Sequence, residues 1–260
     1  MAFERLVPGT FEWEMYYANH HSRYEFALAN LKKYGTSKIL DAATGVGYGA
    51  NFLLMGGISN ITAIDRDKSA IDIATKKFNA NGINFLIDDC ERFTITKNYF
   101  PFEAIVSFET LEHLPNPQFF LKNCHDALKE NCHLIVSTPN RLVSSPDGIK
   151  KWEFHEKEYS PQELIELLQQ SGFREIKIFG QQFTSIGKIR NQMRAEFNRL
   201  NFNPFIKFGE LIQKTFRRRN FKAVLPEQIE DFEIMEYPDV NKIVEQGLKG
   251  PFVLVAICKK

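Results

Sequence analysis

Short apolar runs rich in Ile, Val and Phe alternate with longer helical patterns between residues 38 and 182. This alternation is typical of parallel strands joined by crossover helices, because each helix covers one face of the sheet. The predicted strands are Lys38–Ala43, Asn60–Asp65, Ile83–Asp88, Phe102–Phe108, His133–Ser137 and Phe173–Phe179. The predicted helices between them are Gly49–Met55, Lys68–Asn79, Pro117–Lys129 and Pro161–Ser171. The pattern therefore predicts an α/β fold.

A seventh apolar run, Phe252–Cys258, ends the chain and is expected to pair antiparallel with the strand before it. The sequence thus predicts a Rossmann-like, doubly wound, mostly parallel seven-stranded sheet with an antiparallel last strand. Because a single core can serve a chain of this length, we expect one domain over residues 1–260. Its expected parts are an N-terminal helical cap (10–34), a core (35–182), a helical insertion (183–249) and the last strand (250–260).

Composition excludes several classes of protein. The net charge of +1 gives no general reason to expect nucleic acid as a partner. The four cysteines are scattered and form no C-x-x-C pair, so neither a disulfide framework nor a cysteine zinc site is expected. The sequence has neither a basic-then-apolar leader nor a run of 18 apolar residues. We therefore expect a cytoplasmic protein, with contact at the inner membrane surface as a further option.

A glycine-rich segment follows the first predicted strand: Asp41-Ala42-Ala43-Thr44-Gly45-Val46-Gly47-Tyr48-Gly49. In open α/β sheets ligands bind beyond the carboxyl ends of the strands, and glycine lets the backbone approach them closely. The same letters match the dinucleotide pattern G-x-G-x-x-A, so a dinucleotide must be weighed as the ligand.

Acidic residues at the strand ends favour a different cofactor. A carboxylate at Asp41 suits the methionyl ammonium of S-adenosyl-L-methionine and would repel a pyrophosphate. Asp65 is placed to accept hydrogen bonds from ribose hydroxyls. Asp88 or Asp89 would accept from the adenine amine while the backbone around Cys90 reads the ring; the alternative is a solvated turn at the strand end. Together these positions favour S-adenosylmethionine.

With these motifs the chain resembles class I S-adenosylmethionine-dependent methyltransferases, and among them the ubiquinone-biosynthesis O-methyltransferase and related glycan and natural-product enzymes. The resemblance covers residues 10–182 and the last strand. Its motifs are Ile39-Leu40-Asp41-Ala42-Ala43-Thr44-Gly45-Val46-Gly47-Tyr48-Gly49, Ile64-Asp65-Arg66-Asp67, Phe108-Glu109-Thr110-Leu111-Glu112-His113 and Ser137-Thr138-Pro139-Asn140.

The resemblance also implies roles for single residues. Gly45, Gly47 and Asp65 would contact the cofactor, Phe108 would line it, and Arg23 would hold its carboxylate. Thr44 stands where the family usually has cysteine. The full predicted cofactor-binding set is Arg23, Asp41, Ala43, Thr44, Gly45, Gly47, Asp65, Arg66, Asp88, Asp89, Cys90, Phe108 and Glu109.

A Glu-x-x-Glu-His turn follows the fourth predicted strand. On a helical turn Glu109, Glu112 and His113 would point to one side, and His155 follows the neighbouring fifth strand. One hypothesis is that these four residues bind Mg²⁺ or Mn²⁺, which would activate a substrate hydroxyl; a similar motif binds metal in the small-RNA 2′-O-methyltransferases. In the other, Glu109 and Glu112 shape the cofactor pocket and His113 or His155 is a general base without metal. The predicted catalytic residues are His113, His155 and Glu112.

The insertion is strongly basic. Residues 183–225 carry ten Lys and Arg against two Glu, a net charge of +8. Within residues 204–222 an apolar stripe is expected on a basic helix; its members are Phe205, Phe208, Ile212 and Phe216. A lid over the substrate, a membrane surface, a dimer interface and an anionic substrate all fit this pattern.

The resemblance implies methyl transfer from S-adenosylmethionine to a hydroxyl oxygen of a small-molecule, glycan or lipid-linked substrate. One alternative is a metal-dependent RNA 2′-O-methyltransferase, which the Glu-x-x-Glu-His turn and the basic insertion favour. Another is a non-catalytic cofactor-binding protein.

Overall fold

The computed structural model describes residues 6–78, 82–147, 153–201, 227–237 and 250–260. Its helices are α1 (Phe11–Lys33), α2 (Tyr48–Met55), α3 (Lys68–Lys77), α4 (Pro117–Ala127), α5 (Arg141–Ser144), α6 (Pro161–Gln170) and α7 (Ser185–Asn201). Its strands are β1 (Lys38–Ala42), β2 (Asn60–Asp65), β3 (Ile83–Ile87), β4 (Phe102–Phe108), β5 (Leu128–Pro139), β6 (Arg174–Phe183), β7 (Phe232–Glu236) and β8 (Val253–Lys259).

The strands form one sheet in the order β3-β2-β1-β4-β5-β8-β6-β7. Strands β3, β2, β1, β4 and β5 are parallel neighbours, and β8 lies antiparallel between β5 and β6. This confirms the predicted Rossmann-like sheet with an antiparallel last strand. The strand order reverses between β1 and β4, which is where open α/β sheets form a ligand crevice beyond their carboxyl ends.

The structure corrects two details of the prediction. Within the described residues the sheet has eight strands instead of seven, because β7 pairs at its edge. The β7 sequence Phe-Glu-Ile-Met-Glu is only partly buried, and so it lacks the continuous apolar pattern of the inner strands. In addition, β5 begins at Leu128, so the helix predicted to reach Lys129 ends at Ala127.

Both faces of the sheet are covered, which explains the apolar runs. Successive strand residues point to opposite faces: Ile39 belongs to one buried cluster with Leu53 of α2, whereas Leu40 belongs to the other with Leu164 of α6. Since both residues are fully buried, neither face tolerates a polar side chain at this level of β1. This buried core supports the carboxyl ends of β1, β2, β4 and β5.

Contacts within the chain define two compact units. The first contains Arg23–Gln182 and Ile234–Lys260, and the second contains Leu6–Ser22 and Phe183–Glu233. The predicted cap at 10–34 is therefore divided between them. The basic helix predicted at 204–222, with its apolar stripe, lies outside the described residues, and its membrane or dimer contact stays a prediction.

Within the second unit, Asp231 ends a 3-10 helix (Ile229–Asp231) and contacts α7. Its carboxylate is 1% exposed and accepts a hydrogen bond of 2.7 Å from Arg190 of α7. A Cβ at Gly187 would stand 2.1 Å from the Asp231 carbonyl oxygen, so this close approach needs glycine. No helix in the described ranges is long and apolar enough to cross a lipid bilayer.

Candidate active site

The glycine loop turns sharply between β1 and α2. Ala43, Gly45 and Gly47 have positive φ angles of 60°, 57° and 79°. Helix α2 begins directly afterwards at Tyr48. A Cβ at Gly47 would lie 2.6 Å from the Phe85 ring, so the turn is crowded as well as left-handed. The backbone therefore folds tightly over the carboxyl end of β1.

Asp41 is the next-to-last residue of β1, and its carboxyl group is fully buried. It accepts a hydrogen bond of 2.6 Å from the Thr44 hydroxyl and a long one of 3.4 Å from the Tyr24 hydroxyl. Burial raises the pKa of Asp41 to about 7, despite these two donors, and the nearby charge of Asp65 raises it further. A cation placed beside this carboxylate would favour its ionised form.

Tyr24 is a further candidate for the site, which the sequence did not single out. Its ring packs edge-on against Phe108, with 4.9 Å between centroids, and its hydroxyl reaches Asp41. A Cβ at Gly49 would stand 1.9 Å from the Tyr24 ring, so Gly49 makes room for the tyrosine and not only for a ligand. The glycine alone could not reveal this, because Tyr24 comes from a distant helix.

Asp65 ends β2 beside the loop. One carboxylate oxygen accepts from the Gly45 amide and the other from the Asp67 amide, both at 2.9 Å. A carboxylate can accept about four hydrogen bonds, so this one is oriented by the protein and can still receive others. The neighbouring Arg66 is exposed.

Two acidic residues follow β3, and they differ. Asp88 accepts five hydrogen bonds, four from the backbone amides of Asp89, Thr94, Ile95 and Thr96 and one from the Thr96 hydroxyl. Burial alone would raise the pKa of Asp88, but these donors outweigh it and lower the pKa. Asp88 therefore stabilises its own loop. The partly exposed Asp89 is the better candidate to accept a hydrogen bond from the adenine amine.

Cys90 follows these acids. Burial raises the pKa of its thiol to about 12, and the charges of Asp89 and Glu91 add to the effect, so the side chain stays neutral. Its carbonyl oxygen accepts from the Asn123 side chain at 3.2 Å.

Arg23 is almost fully buried in α1. Its guanidinium donates a hydrogen bond of 2.6 Å to Gln181 of β6, a residue that the sequence reasoning did not single out. Burial raises the pKa of Glu112, and the charge of Arg23 offsets part of that rise. Arg23 thus supplies a positive charge near the ends of β4 and β6.

The structure departs from the predicted Glu-x-x-Glu-His turn at Glu109. This residue has a φ of 51°, and the 3-10 helix begins only at Leu111 (Leu111–His113). The Glu109 carboxylate accepts a hydrogen bond of 2.7 Å from the Ser137 hydroxyl. Glu109 therefore does not share a helical face with Glu112 and His113, and it stays outside the group of potential metal ligands.

Glu112, His113 and His155 do come together. Each offers a carboxylate oxygen or ring nitrogen, and these three atoms lie within 4.8 Å of one another. Burial raises the pKa of Glu112 well above its ordinary value, and the Glu109 charge contributes. The Thr138 hydroxyl donates to Glu112 at 3.0 Å. These three side chains are chemically suited either to act as a general base or to bind a divalent cation.

Backbone contacts bring His155 to this place. The Glu112 carbonyl oxygen accepts from the amides of Glu156 at 2.5 Å and Lys157 at 3.3 Å. The His113 ring nitrogen Nδ1 lies 3.0 Å from the Phe154 carbonyl oxygen. The segment carrying His155 is thus tied to the 3-10 helix after β4.

Comparison with known proteins identifies the family. Residues 17–178, more than half of the chain, match the family model described as a methyltransferase domain. The chain belongs to this methyltransferase family.

Similar curated proteins include enzymes that are named as S-adenosylmethionine-dependent methyltransferases. A probable S-adenosylmethionine-dependent methyltransferase of Mycolicibacterium smegmatis is 27% identical over 65% of this chain and 63% of its own length. A ubiquinone biosynthesis O-methyltransferase of Rickettsia canadensis is 32% identical over 54% of this chain and 63% of its own length. The chain therefore spans less than two thirds of the length of these relatives.

A solved structure shows the same fold. The S-adenosylmethionine-dependent methyltransferase of Thermotoga maritima, described as a possible histamine N-methyltransferase, superimposes with a TM-score of 0.55. It is 17% identical, and the match covers 94% of each chain.

Proposed function

We propose that the chain transfers a methyl group from S-adenosylmethionine to a hydroxyl oxygen of a small-molecule, glycan or lipid-linked substrate. One observation carries the proposal. The cluster of Glu112, His113 and His155 follows β4 and β5 at the same edge of the sheet as Asp41 and Asp65, which lie at the carboxyl ends of β1 and β2. Groups suited to a cationic nucleoside and groups suited to a hydroxyl thus occupy the same edge.

The residues at the ends of β1 and β2 fit the cofactor. Asp41 is a buried carboxyl group that an ammonium ion would hold in its ionised form. The Asp65 carboxylate, oriented by Gly45, would accept from ribose hydroxyls. Asp89 would receive the adenine amine. When bound, S-adenosylmethionine supplies a methyl group that is already activated, so the protein contributes mainly binding and orientation.

The histidines would handle the proton of the acceptor hydroxyl. A carbonyl oxygen can only accept, so the contact with Phe154 requires a hydrogen on Nδ1 of His113. In the neutral ring Nε2 is then the basic nitrogen, and it lies 3.9 Å from the Glu112 carboxyl group. His155 lies beside it, with 5.0 Å between ring centroids.

Oxygen as the acceptor is supported by the named O-methyltransferase relative, which is 32% identical. The structure named for histamine N-methylation is only 17% identical and supports the fold alone.

A transfer assay tests the proposal. Purified protein is incubated with methyl-labelled S-adenosylmethionine and matched pairs of acceptors that differ only in a hydroxyl or an amine, including quinols, sugar nucleotides and lipid extracts. We expect labelled ether products, a loss of turnover in His155→Gln, and unchanged binding of S-adenosylhomocysteine in that variant. His125→Gln, on α4 beside Phe173, is the matched control. Turnover on amines alone would refute oxygen as the acceptor, and cofactor binding without any turnover would favour a non-catalytic protein.

The metal-assisted reaction is the second candidate, because the same three side chains are chemically suitable ligands for Mg²⁺ or Mn²⁺. In the most specific version of this candidate, the acceptor is the ribose 2′-hydroxyl of an RNA. Calorimetric titration with either cation, repeated with Glu112→Gln, tests the site, and filter binding tests a short RNA. Absence of cation binding together with activity that resists chelators would remove this candidate.

A further inference from the structure

We propose that Glu158 is a positioning residue that fixes the tautomer of His155, so that Nε2 of this ring is the base that takes the hydroxyl proton. The inference deepens the proposed function and rests on it for the identity of the acceptor. It assigns a role to a residue outside the three-residue cluster, and it chooses between the two histidines.

The geometry around Glu158 is that of a held carboxylate. The side chain is 8% exposed, and its Oε1 lies 2.7 Å from Nδ1 of His155. Its other oxygen accepts hydrogen bonds from the hydroxyls of Ser144 and Ser145, at the end of α5. Contacts at both oxygens prevent the carboxylate from rotating away from the histidine.

The charge of Glu158 decides where the hydrogen of His155 resides. Glu158 receives contacts at both oxygens, from the Ser144 and Ser145 hydroxyls at one and from the His155 ring at the other, which is the arrangement of an ionised carboxylate. An ionised carboxylate can only accept, so Nδ1 of His155 must carry the hydrogen. Nε2 of the neutral ring is therefore the basic nitrogen.

This arrangement distinguishes His155 from His113. When the acceptor O–H bond breaks, the proton moves to Nε2, the electron pair stays on oxygen and the ring becomes positively charged. A carboxylate 2.7 Å from Nδ1 stabilises that charge, as in other carboxylate–histidine pairs. At Nδ1, His113 faces the uncharged carbonyl oxygen of Phe154, whereas Nδ1 of His155 faces a carboxylate, so Glu158 supports His155 as the base.

The tautomer can be measured without any substrate. In protein labelled with ¹⁵N at histidine, long-range proton–nitrogen correlation spectra report which ring nitrogen carries hydrogen. We expect hydrogen on Nδ1 of His155 in the wild type and a mixture of tautomers in Glu158→Gln, since a glutamine amide can donate as well as accept. His125 in the same spectra is an internal control. An unchanged His155 spectrum in Glu158→Gln would overturn the positioning role.

Kinetics test the consequence. Removal of such a supporting partner typically costs about 10- to 100-fold in activity, so we expect Glu158→Gln to lower kcat by that factor with little change in KM. Glu158→Asp keeps the charge and should recover part of kcat; it also serves if Glu158→Gln fails to fold. Glu166→Gln, on the surface of α6, is the matched control.

A tautomer that changes while kcat stays at the wild-type value would overturn His155 as the base, even if methyl transfer itself is demonstrated. Absence of methyl transfer in the wild type would refute the proposed function and leave the spectroscopic result standing.

Discussion

Asp41 and Asp88 are both buried carboxyl groups at the carboxyl ends of strands of one sheet, yet they differ in ionisation. Asp41 has two hydroxyl donors, and burial raises its pKa to about 7. Asp88 has five donors, four of them backbone amides, and its pKa is lowered. Asp41 is the more deeply buried of the two and has fewer donors, and both differences raise its pKa relative to that of Asp88. Asp88 stabilises a loop, whereas Asp41 is suited to a cationic ligand.

The largest expected effect is on cofactor affinity in Asp41→Asn. A charge-assisted contact contributes about 3 kcal/mol at most, so affinity for S-adenosylhomocysteine at pH 8 should fall by up to about 100-fold. The unliganded variant should unfold at the wild-type Tm or above it. The pKa of Asp41 is about 7 in the folded protein and 3.8 ordinarily, so between these pH values the folded state binds more protons than the unfolded state. The free energy of unfolding of the wild type therefore falls as the pH rises from about 3.8 to about 7.

Isothermal calorimetry and thermal unfolding measure both quantities. Asp72→Asn, an exposed exchange of the same kind on α3, is the control. Wild-type affinity in Asp41→Asn would contradict the contrast between the two aspartates.

Asp88→Ala should have the converse effect. Loss of the acceptor leaves backbone amides without their partner, which should lower the free energy of unfolding by about 2 kcal/mol or more. Affinity for S-adenosylhomocysteine should fall less than in Asp41→Asn under conditions where both variants are folded. Urea unfolding provides the measurement. An Asp88→Ala protein with wild-type stability and no cofactor affinity would reverse the assigned roles.

A smaller effect is expected from Thr44→Val, which removes the 2.6 Å donor to Asp41 while keeping the side-chain shape. The pKa of Asp41 should rise further, because a hydrogen bond to its charged form is lost. Affinity for S-adenosylhomocysteine near neutral pH should fall by about fivefold, corresponding to about 1 kcal/mol. As the pH is lowered, this affinity should begin to decline at a higher pH than in the wild type. An unshifted pH profile would show that Thr44 does not influence the pKa of Asp41.

Tyr24→Phe should have the smallest effect, since its hydrogen bond to Asp41 is 3.4 Å long. The ring packing against Phe108 is retained in this variant. We expect a change in affinity below that of Thr44→Val, measured in the same titrations. A larger loss than in Thr44→Val would show that the tyrosine hydroxyl contacts the ligand directly.

Much of the fold could be predicted because periodicity reports burial. The inner strands are buried on both faces and read as apolar runs, and Ser160 with Glu163 forms the predicted cap of α6. Strand β7 was missed because a five-residue edge strand that is only partly buried lacks that signal. The position of the acidic residues at one edge of the sheet could also be predicted, since parallel strands bring their carboxyl ends to the same edge.

The finer chemistry of the site could not be predicted in this way. The donors to Asp88 come from the backbone at 94–96, whose direction depends on the turn and not on residue type. Glu109 fits a helical spacing but has a left-handed backbone. Tyr24, Gln181 and Glu158 gained their roles from contacts between distant segments or at a bend, which no local pattern encodes.

Proton release on cofactor binding tests the central claim most directly. S-adenosylhomocysteine is titrated calorimetrically into the wild type at pH 6 in buffers of different ionisation enthalpy, with Asp41→Asn in parallel. Because Asp41 is mainly protonated at this pH in the unliganded protein, its pairing with the ammonium group should release close to one proton. The account predicts this release in the wild type and its loss in Asp41→Asn. Binding with the same proton release in both proteins, or with none in the wild type, would contradict it.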